Sequence, residues 1–225
     1  MTKATGIRTM CFDWGGVIVR IRRTWQEAVR EHFLHDARLA QAVLDAFEQR
    51  HEDYVQLHAE LETGMMLPDE YIRQLCAYVD GMIDEQQMRA LHDSVLVVEY
   101  PGMAGLVQTI VQHPFLRTAL LSNSNPMHYA RHLPSEGKAA DFPTIGLLQY
   151  HIISHEVGAM KPSETIYRAV ESATLCRGPE ILFFDDLPKN VEAARALGWH
   201  AEQINHDGDP ALQIGQHLAA YGVRI

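Results

Sequence analysis

Basic residues are in short supply in this sequence. Nineteen Lys and Arg stand against 29 Asp and Glu, a formal net charge of -10 at pH 7. A nucleic-acid surface needs clustered positive charge, so this balance argues against such a partner, although one locally positive pocket for a small anion stays open. Cysteine is scarce too. Cys11, Cys76 and Cys176 are odd in number and far apart, which gives neither a disulfide framework nor a metal-like spacing, and buried reduced thiols are expected. Long apolar runs are missing: the N-terminal apolar stretch is cut at Asp13, too early for a signal or membrane segment, so a cytoplasmic location without membrane partners is the expectation. There are no repeats and no low-complexity tracts.

What is present is an ordinary globular composition, with 47% hydrophobic and 21% charged residues over 225 positions. That is enough for one domain with an insertion. Residues 7–12 read as a strand that ends at Asp13, with a Gly15-Gly16 turn directly after it. From about 25 to 98 the apolar residues recur at helical spacing, as in Val43, Leu44 and Phe47 or Tyr71, Ile72 and Leu75. Pro68-Asp69-Glu70 marks a helix start.

Beyond Pro101-Gly102 the pattern turns to strands alternating with helices. Strands are expected at 116–121, near 151–154 and at 181–184, and helices at 103–112, after Pro162 and at 189–197, with one more strand and helix closing the chain. The stretch 133–149 reads as loop with at most a short helix. Such alternation implies parallel pairing, an α/β fold with a three-layer sheet core. The first strand is separated from the others by the helical insert.

Ligands of open parallel sheets sit beyond the carboxyl ends of the strands. Four polar clusters fall at or near such ends: Cys11-Phe12-Asp13-Trp14-Gly15-Gly16-Val17, Leu120-Leu121-Ser122-Asn123, Lys161-Pro162, and Leu182-Phe183-Phe184-Asp185-Asp186. Each alone has an ordinary reading. Adjacent aspartates cap helices, a lysine before proline is usually solvated, and Ser and Asn are common turn residues.

In this order the four clusters resemble the motifs of the haloacid dehalogenase superfamily, over nearly the whole chain. Gly158-Ala159-Met160-Lys161-Pro162 with Ile166-Tyr167, and Phe184-Asp185-Asp186 with Asn190, Ala193, Ala194 and Gly198, are similar to its branch with a small helical cap after the first motif. That branch includes sugar-phosphate phosphatases, the phosphatase domain of soluble epoxide hydrolases and 2-haloacid dehalogenases. The resemblance implies a Rossmann-like core at 1–20 and 99–225 with a helical cap at 21–98. It implies a Mg2+-dependent phosphatase acting on a small phosphorylated metabolite such as a sugar phosphate. Asp13 would be the nucleophile, and Lys161 would neutralise charge. Ser122 and the Asn123 amide would hold phosphate, and Asp13, the Gly15 carbonyl, Asp185 and Asp186 would surround the metal.

The sequence departs from that pattern at one place. Most phosphatases of the superfamily carry a second Asp two residues after the nucleophile, as general acid and base. Here that residue is Gly15, and such help is typically worth ~10²–10⁴-fold. A leaving group that needs little protonation, such as the anomeric oxygen of a sugar 1-phosphate, suits the glycine. A metal-independent 2-haloacid dehalogenase also tolerates it, as does a fold that binds without turnover, although Asp185-Asp186 beside an anionic substrate call for a cation. A water or a side chain of the cap could also supply the proton; among 13 histidines none has metal spacing, and His155 is the expected stand-in proton donor. Arg20, Arg22 and Arg23 precede Trp25. At least two of these three arginines read as solvated linker, and the aromatic is suited to stacking on a sugar.

Overall fold

The computed structural model describes residues 6–225; the first five residues of the expected core lie outside them. β1 (Thr9–Phe12) is buried at every position, as the middle strand of a parallel sheet must be when helices cover both faces. The sheet runs β5-β4-β1-β6-β7, with β4 at Arg117–Ser122, β5 at Tyr150–Ile153, β6 at Ile181–Asp185 and β7 at His200–Gln203, all parallel.

Alternation along the strands divides the core in two. Met10, Phe12, Leu120, Leu182 and Phe184 face one way, onto α6 (Met103–Val111) and α11 (Pro210–Ala220). Cys11, Ala119, Leu121 and Phe183 face the other, onto α9 (Glu164–Thr174) and α10 (Pro188–Ala196). The three layers follow from this period-two pattern. Beyond residue 100 the strands and helices expected at stated positions are found within one or two residues of them, whereas short helices at Pro126–Ala130 and Ser154–Val157 were not expected.

The expected all-helical stretch needs one correction. It is bracketed by β2 (Val19–Ile21) and β3 (Leu96–Glu99), which pair antiparallel away from the main sheet. A three- and a four-residue strand are too short to register as alternation. Between them lie α1 (Trp25–His32), α2 (Ala37–Gln49), α3 (His51–Glu62), α4 (Pro68–Tyr78) and α5 (Glu85–Asp93). Thr24, Asp36 and Asp84 cap three of these by accepting from backbone amides, and Pro68 opens α4 as expected.

The five helices bury their own apolar cluster, which includes Val43, Phe47, Leu61, Tyr71 and Leu75. Two short helices, α7 (Pro126–Ala130) and α8 (Ser154–Val157), follow β4 and β5 and meet the insert. In the stretch 133–149 the structure has loop and one 3-10 turn at Pro143–Leu147. No helix among the described residues is long and apolar enough to cross a membrane.

Candidate active site

Register sets the site. Phe12 pairs with Leu120 on one side and Phe184 on the other, so the residues just after them, Asp13, Leu121-Ser122 and Asp185, emerge together at one end of the sheet. Asp13 donates its amide to the Phe184 carbonyl at 2.9 Å, and its Oδ1 accepts from the Trp14 amide at 2.7 Å. Lys161 reaches in from the loop before α9. Its ammonium lies 2.8 Å from Asp13 Oδ1 and 2.7 Å from Asp185 Oδ2, and the residue is only 3% exposed. A buried ammonium survives only with such partners.

Asp185 is fully buried and fully engaged. Besides Lys161 it accepts from the Leu187 amide at 2.8 Å and from Asn190 Nδ2 at 3.0 Å. Asp185 thus takes the amide of Leu187, the residue just before α10, and no side chain caps that helix. Asp186 differs. Its Oδ2 is buried beside the Arg23 guanidinium without a well-aligned hydrogen bond. Gly16 makes that approach possible: its φ is +79°, and a Cβ there would lie 2.7 Å from the Asp186 carboxyl carbon.

Asn123 ties two loops together. Its Nδ2 donates to the Lys161 carbonyl at 3.0 Å and its Oδ1 accepts from the Lys161 amide at 2.7 Å. The β4 loop thereby fixes the height at which the lysine enters. Ser122 is buried next to it, and both residues line a cavity of about 230 Å³ that runs from Trp14 and Gly15 up to the insert helices.

Electrostatics follow from this crowding. Burial raises the Asp13 carboxyl above its ordinary value, Lys161 opposes the rise, and Asp185 and Asp186 add to it. Burial disfavours the Lys161 ammonium, but Asp13 and Asp185 outweigh it and hold the lysine protonated. Asp186 is raised by burial, against the pull of Arg23. One oxygen from each of Asp13, Asp185 and Asp186 lies within 4.8 Å of the others. An all-oxygen donor set, with three carboxylates facing two cations and an Asp186 oxygen held only by the Arg23 ion pair, suits a hard divalent ion.

The structure thus brings Asp13, Gly15, Ser122, Asn123, Lys161, Asp185 and Asp186 to one end of the sheet. Other expectations change. Of the three arginines only Arg20 is exposed. Arg22 pairs with Glu31 and donates to the Ser94 carbonyl, and Arg23 faces Asp186, so two of the three are engaged rather than solvated. His155 donates its Nδ1 proton to the Ser124 carbonyl at 2.9 Å and is not among the residues lining the cavity. Trp25 does line it, stacked on Phe47 at 4.8 Å.

Sequence reasoning named Asn190 but not its bond to Asp185, and missed Arg23 as an Asp186 partner and the insert residues His58, Glu62 and His92 that face the same cavity. For His58 and Glu62 the only available signal was their spacing of four on one helix. Cys11 and Cys176 are buried and all three cysteines are free, and burial pushes the Cys11 thiol far up.

A family model described as haloacid dehalogenase-like hydrolase matches residues 7–198. A D-ribitol-5-phosphate phosphatase of Bacteroides thetaiotaomicron is 26% identical over 207 residues, covering 90% of this chain and 94% of that protein. Among solved structures, a predicted HAD-like family hydrolase from Porphyromonas gingivalis superposes with a TM-score of 0.73 at 23% identity, over 94% of this chain and 98% of that one. A HAD family enzyme of B. thetaiotaomicron, solved in complex with magnesium and inorganic phosphate, gives 0.69 at 22% identity, over 90% and 96%. At these identities the structural matches speak for the fold.

Proposed function

The chain belongs to the haloacid dehalogenase-like hydrolases, and from that premise we propose that it is a Mg2+-dependent phosphatase of small phosphorylated metabolites, of the sugar or polyol phosphate class. The observation that carries this reading is the Lys161 ammonium held between Asp13 and Asp185, with a third buried carboxylate, Asp186, alongside. A metal-free dehalogenase site has no use for that third carboxylate. The D-ribitol-5-phosphate phosphatase relative supports the substrate class, and the magnesium and phosphate complex of the structural relative supports the cofactor.

In this reading Asp13, the Gly15 carbonyl, Asp185 and Asp186 would hold the ion. Bound Mg2+ would offset the charge of the phosphate and hold phosphorus in line with the nucleophile. An Asp13 carboxylate oxygen forms a bond to phosphorus as the ester P–O bond breaks, and the electron pair leaves on the ester oxygen. Water then attacks the aspartyl-phosphate and frees Asp13. Lys161 neutralises Asp13 and the incoming phosphate through both steps, while Ser122 and the Asn123 amide hold phosphate oxygens. The insert at 21–98 acts as a cap over the core at 1–20 and 99–225, excluding water and contacting the leaving group.

The test is release of p-nitrophenol from p-nitrophenyl phosphate. Turnover is expected to require Mg2+, to stop in excess chelator, and to fall on the order of 10⁴-fold in Asp13→Asn. Full activity in chelator or in Asp13→Asn overturns the mechanism. Chloride release from chloroacetate with no phosphate release would install the dehalogenase reading instead.

A further inference from the structure

Gly15 leaves the leaving oxygen without a proton donor from the core. That matters for a polyol phosphate, whose leaving group is an alkoxide far more basic than an anomeric hydroxyl. We propose, on the phosphatase reading above, that His58 of α3 is the proton donor to the leaving oxygen and the base for the attacking water, with the Tyr71 hydroxyl orienting it at Nδ1 and Glu62 as the carboxylate that favours its imidazolium.

The assignment comes from what lines the cavity. Among the described residues, Arg22 and Arg23 hold their protons permanently and face Glu31 and Asp186. Burial pushes the Tyr54 hydroxyl up to about 12, too weak an acid for the task. His92 and His128 are buried, and their rings share the Asn125 amide. His128 Nε2 is further tied to the His92 carbonyl at 2.9 Å. His58 and Glu62 remain.

Both sit one turn apart on the same face of α3, and both line the cavity together with Gly15 and Ser122. His58 Nε2 lies 3.5 Å from Glu62 Oε1, and Nδ1 lies 3.0 Å from the Tyr71 hydroxyl. The ring stacks on Tyr54, with centroids 5.6 Å apart and planes 22° apart. A solvated surface pair would have none of these supports. The imidazole is held by a stack on one face and a hydrogen bond at Nδ1, and its remaining nitrogen faces a carboxylate that lines the same cavity. A histidine oriented in this way by a third group is the general arrangement of acid-base catalysis.

The proton balance is simple. With Nδ1–H donating to the Tyr71 oxygen, Nε2 is the nitrogen that exchanges. The imidazolium gives its Nε2 proton to the ester oxygen as the P–O bond breaks, and becomes neutral. In the second step Nε2 takes a proton from the water that attacks the aspartyl-phosphate, the bond to Asp13 breaks, and the imidazolium is restored. Glu62 faces the positive charge when it is present.

The experiment compares p-nitrophenyl phosphate with the alkyl phosphate that the unmodified chain hydrolyses fastest. In His58→Gln the kcat for the alkyl ester should fall about 10²–10⁴-fold, and at least tenfold further than the kcat for the aryl ester. Glu62→Gln should move the same ratio in the same direction by less. Adding Gly15→Asp to His58→Gln should bring alkyl turnover back. The three atoms nearest to a Cβ at Gly15 all belong to the Ile21 side chain, with Cδ1 at 3.1 Å, so the new side chain requires Ile21 to shift by a few tenths of an ångström.

Equal losses on both esters in His58→Gln would make His58 a structural residue and overturn the proposal. So would unchanged alkyl turnover, or an unmodified chain that hydrolyses aryl esters and no alkyl ester. A chain with no Mg2+-dependent activity on p-nitrophenyl phosphate at all would bring down the phosphatase reading itself, and this assignment with it.

Discussion

The rings of His92 and His128 lie stacked with centroids 4.0 Å apart and planes 23° apart, one from the last turn of α5 in the insert and one from α7 after β4. Asn125 Nδ2 sits 3.4 Å from His92 Nε2 and 3.3 Å from His128 Nδ1. One amide group can donate to both rings only if each presents a bare nitrogen, so the pair is neutral. Burial is the main cause, lowering His92 to about 3 and His128 well below its ordinary value.

The pair should therefore make the fold acid-sensitive. A histidine whose folded value lies below its unfolded one binds more protons when unfolded, so stability is lost as pH falls through about 6.5 and continues to fall toward the folded value. Between pH 7 and pH 5, His92 alone should cost about 2 kcal/mol. The groups facing it are Asp93 on its own helix, Arg89 one turn earlier, His58 on α3 and Arg131 just past α7. Urea unfolding of the unmodified chain and of His92→Asn should show parallel denaturant slopes, with the variant losing markedly less stability between the two pH values. The same pH dependence in both proteins would rule the pair out as the cause.

The main sheet and the strand-end residues were legible because parallel strands buried on both faces leave continuous apolar runs, each broken where the chain turns polar. Phe12-Asp13, Leu121-Ser122 and Phe184-Asp185 are such breaks, and the register joins them. The β2–β3 pair was not legible, being too short for a period. Nor was the seam between insert and core: His92 and His128 are 36 residues apart, and nothing local in the sequence tells a packed imidazole from a surface one. Lys161 is the instructive case. Its residue type predicts exposure, and only the two carboxylates delivered by other strands explain its burial.

Those two carboxylates give the second prediction. Lys161→Met keeps much of the volume but strands Asp13 and Asp185 side by side in a buried site. Breaking a buried pair from one side typically costs ~3–5 kcal/mol, so chemical denaturation should show a loss of that order at pH 7.5. Adding Asp185→Asn removes one of the stranded charges and keeps an acceptor oxygen for the Leu187 amide and Asn190 Nδ2. The double variant should regain a good part of the lost stability while turnover stays abolished. If Lys161→Met unfolds as late as the unmodified chain, the ammonium is not the element that holds the carboxylates in place.

Arg23 bears on the metal directly. Its guanidinium faces Asp186 from the segment joining β2 to α1, and its Nε and Nη2 are buried without hydrogen-bond partners. A permanent cation at that carboxylate opposes a divalent ion arriving beside the same oxygen, and the opposition is strong where water is excluded. Arg23→Gln should therefore tighten Mg2+ binding, by roughly 5–30-fold if about 1–2 kcal/mol of repulsion is relieved at low ionic strength. Calorimetric titration of Mg2+ into chelator-treated protein reads this without reference to turnover. The gain should shrink when the titration is repeated in high salt, because the Arg23 side chain is 25% exposed and part of the repulsion is screened. Weaker Mg2+ binding in Arg23→Gln would mean that the arginine instead holds Asp186 in the posture the ion needs, and the guanidinium would then count as a support of the site rather than a competitor for it.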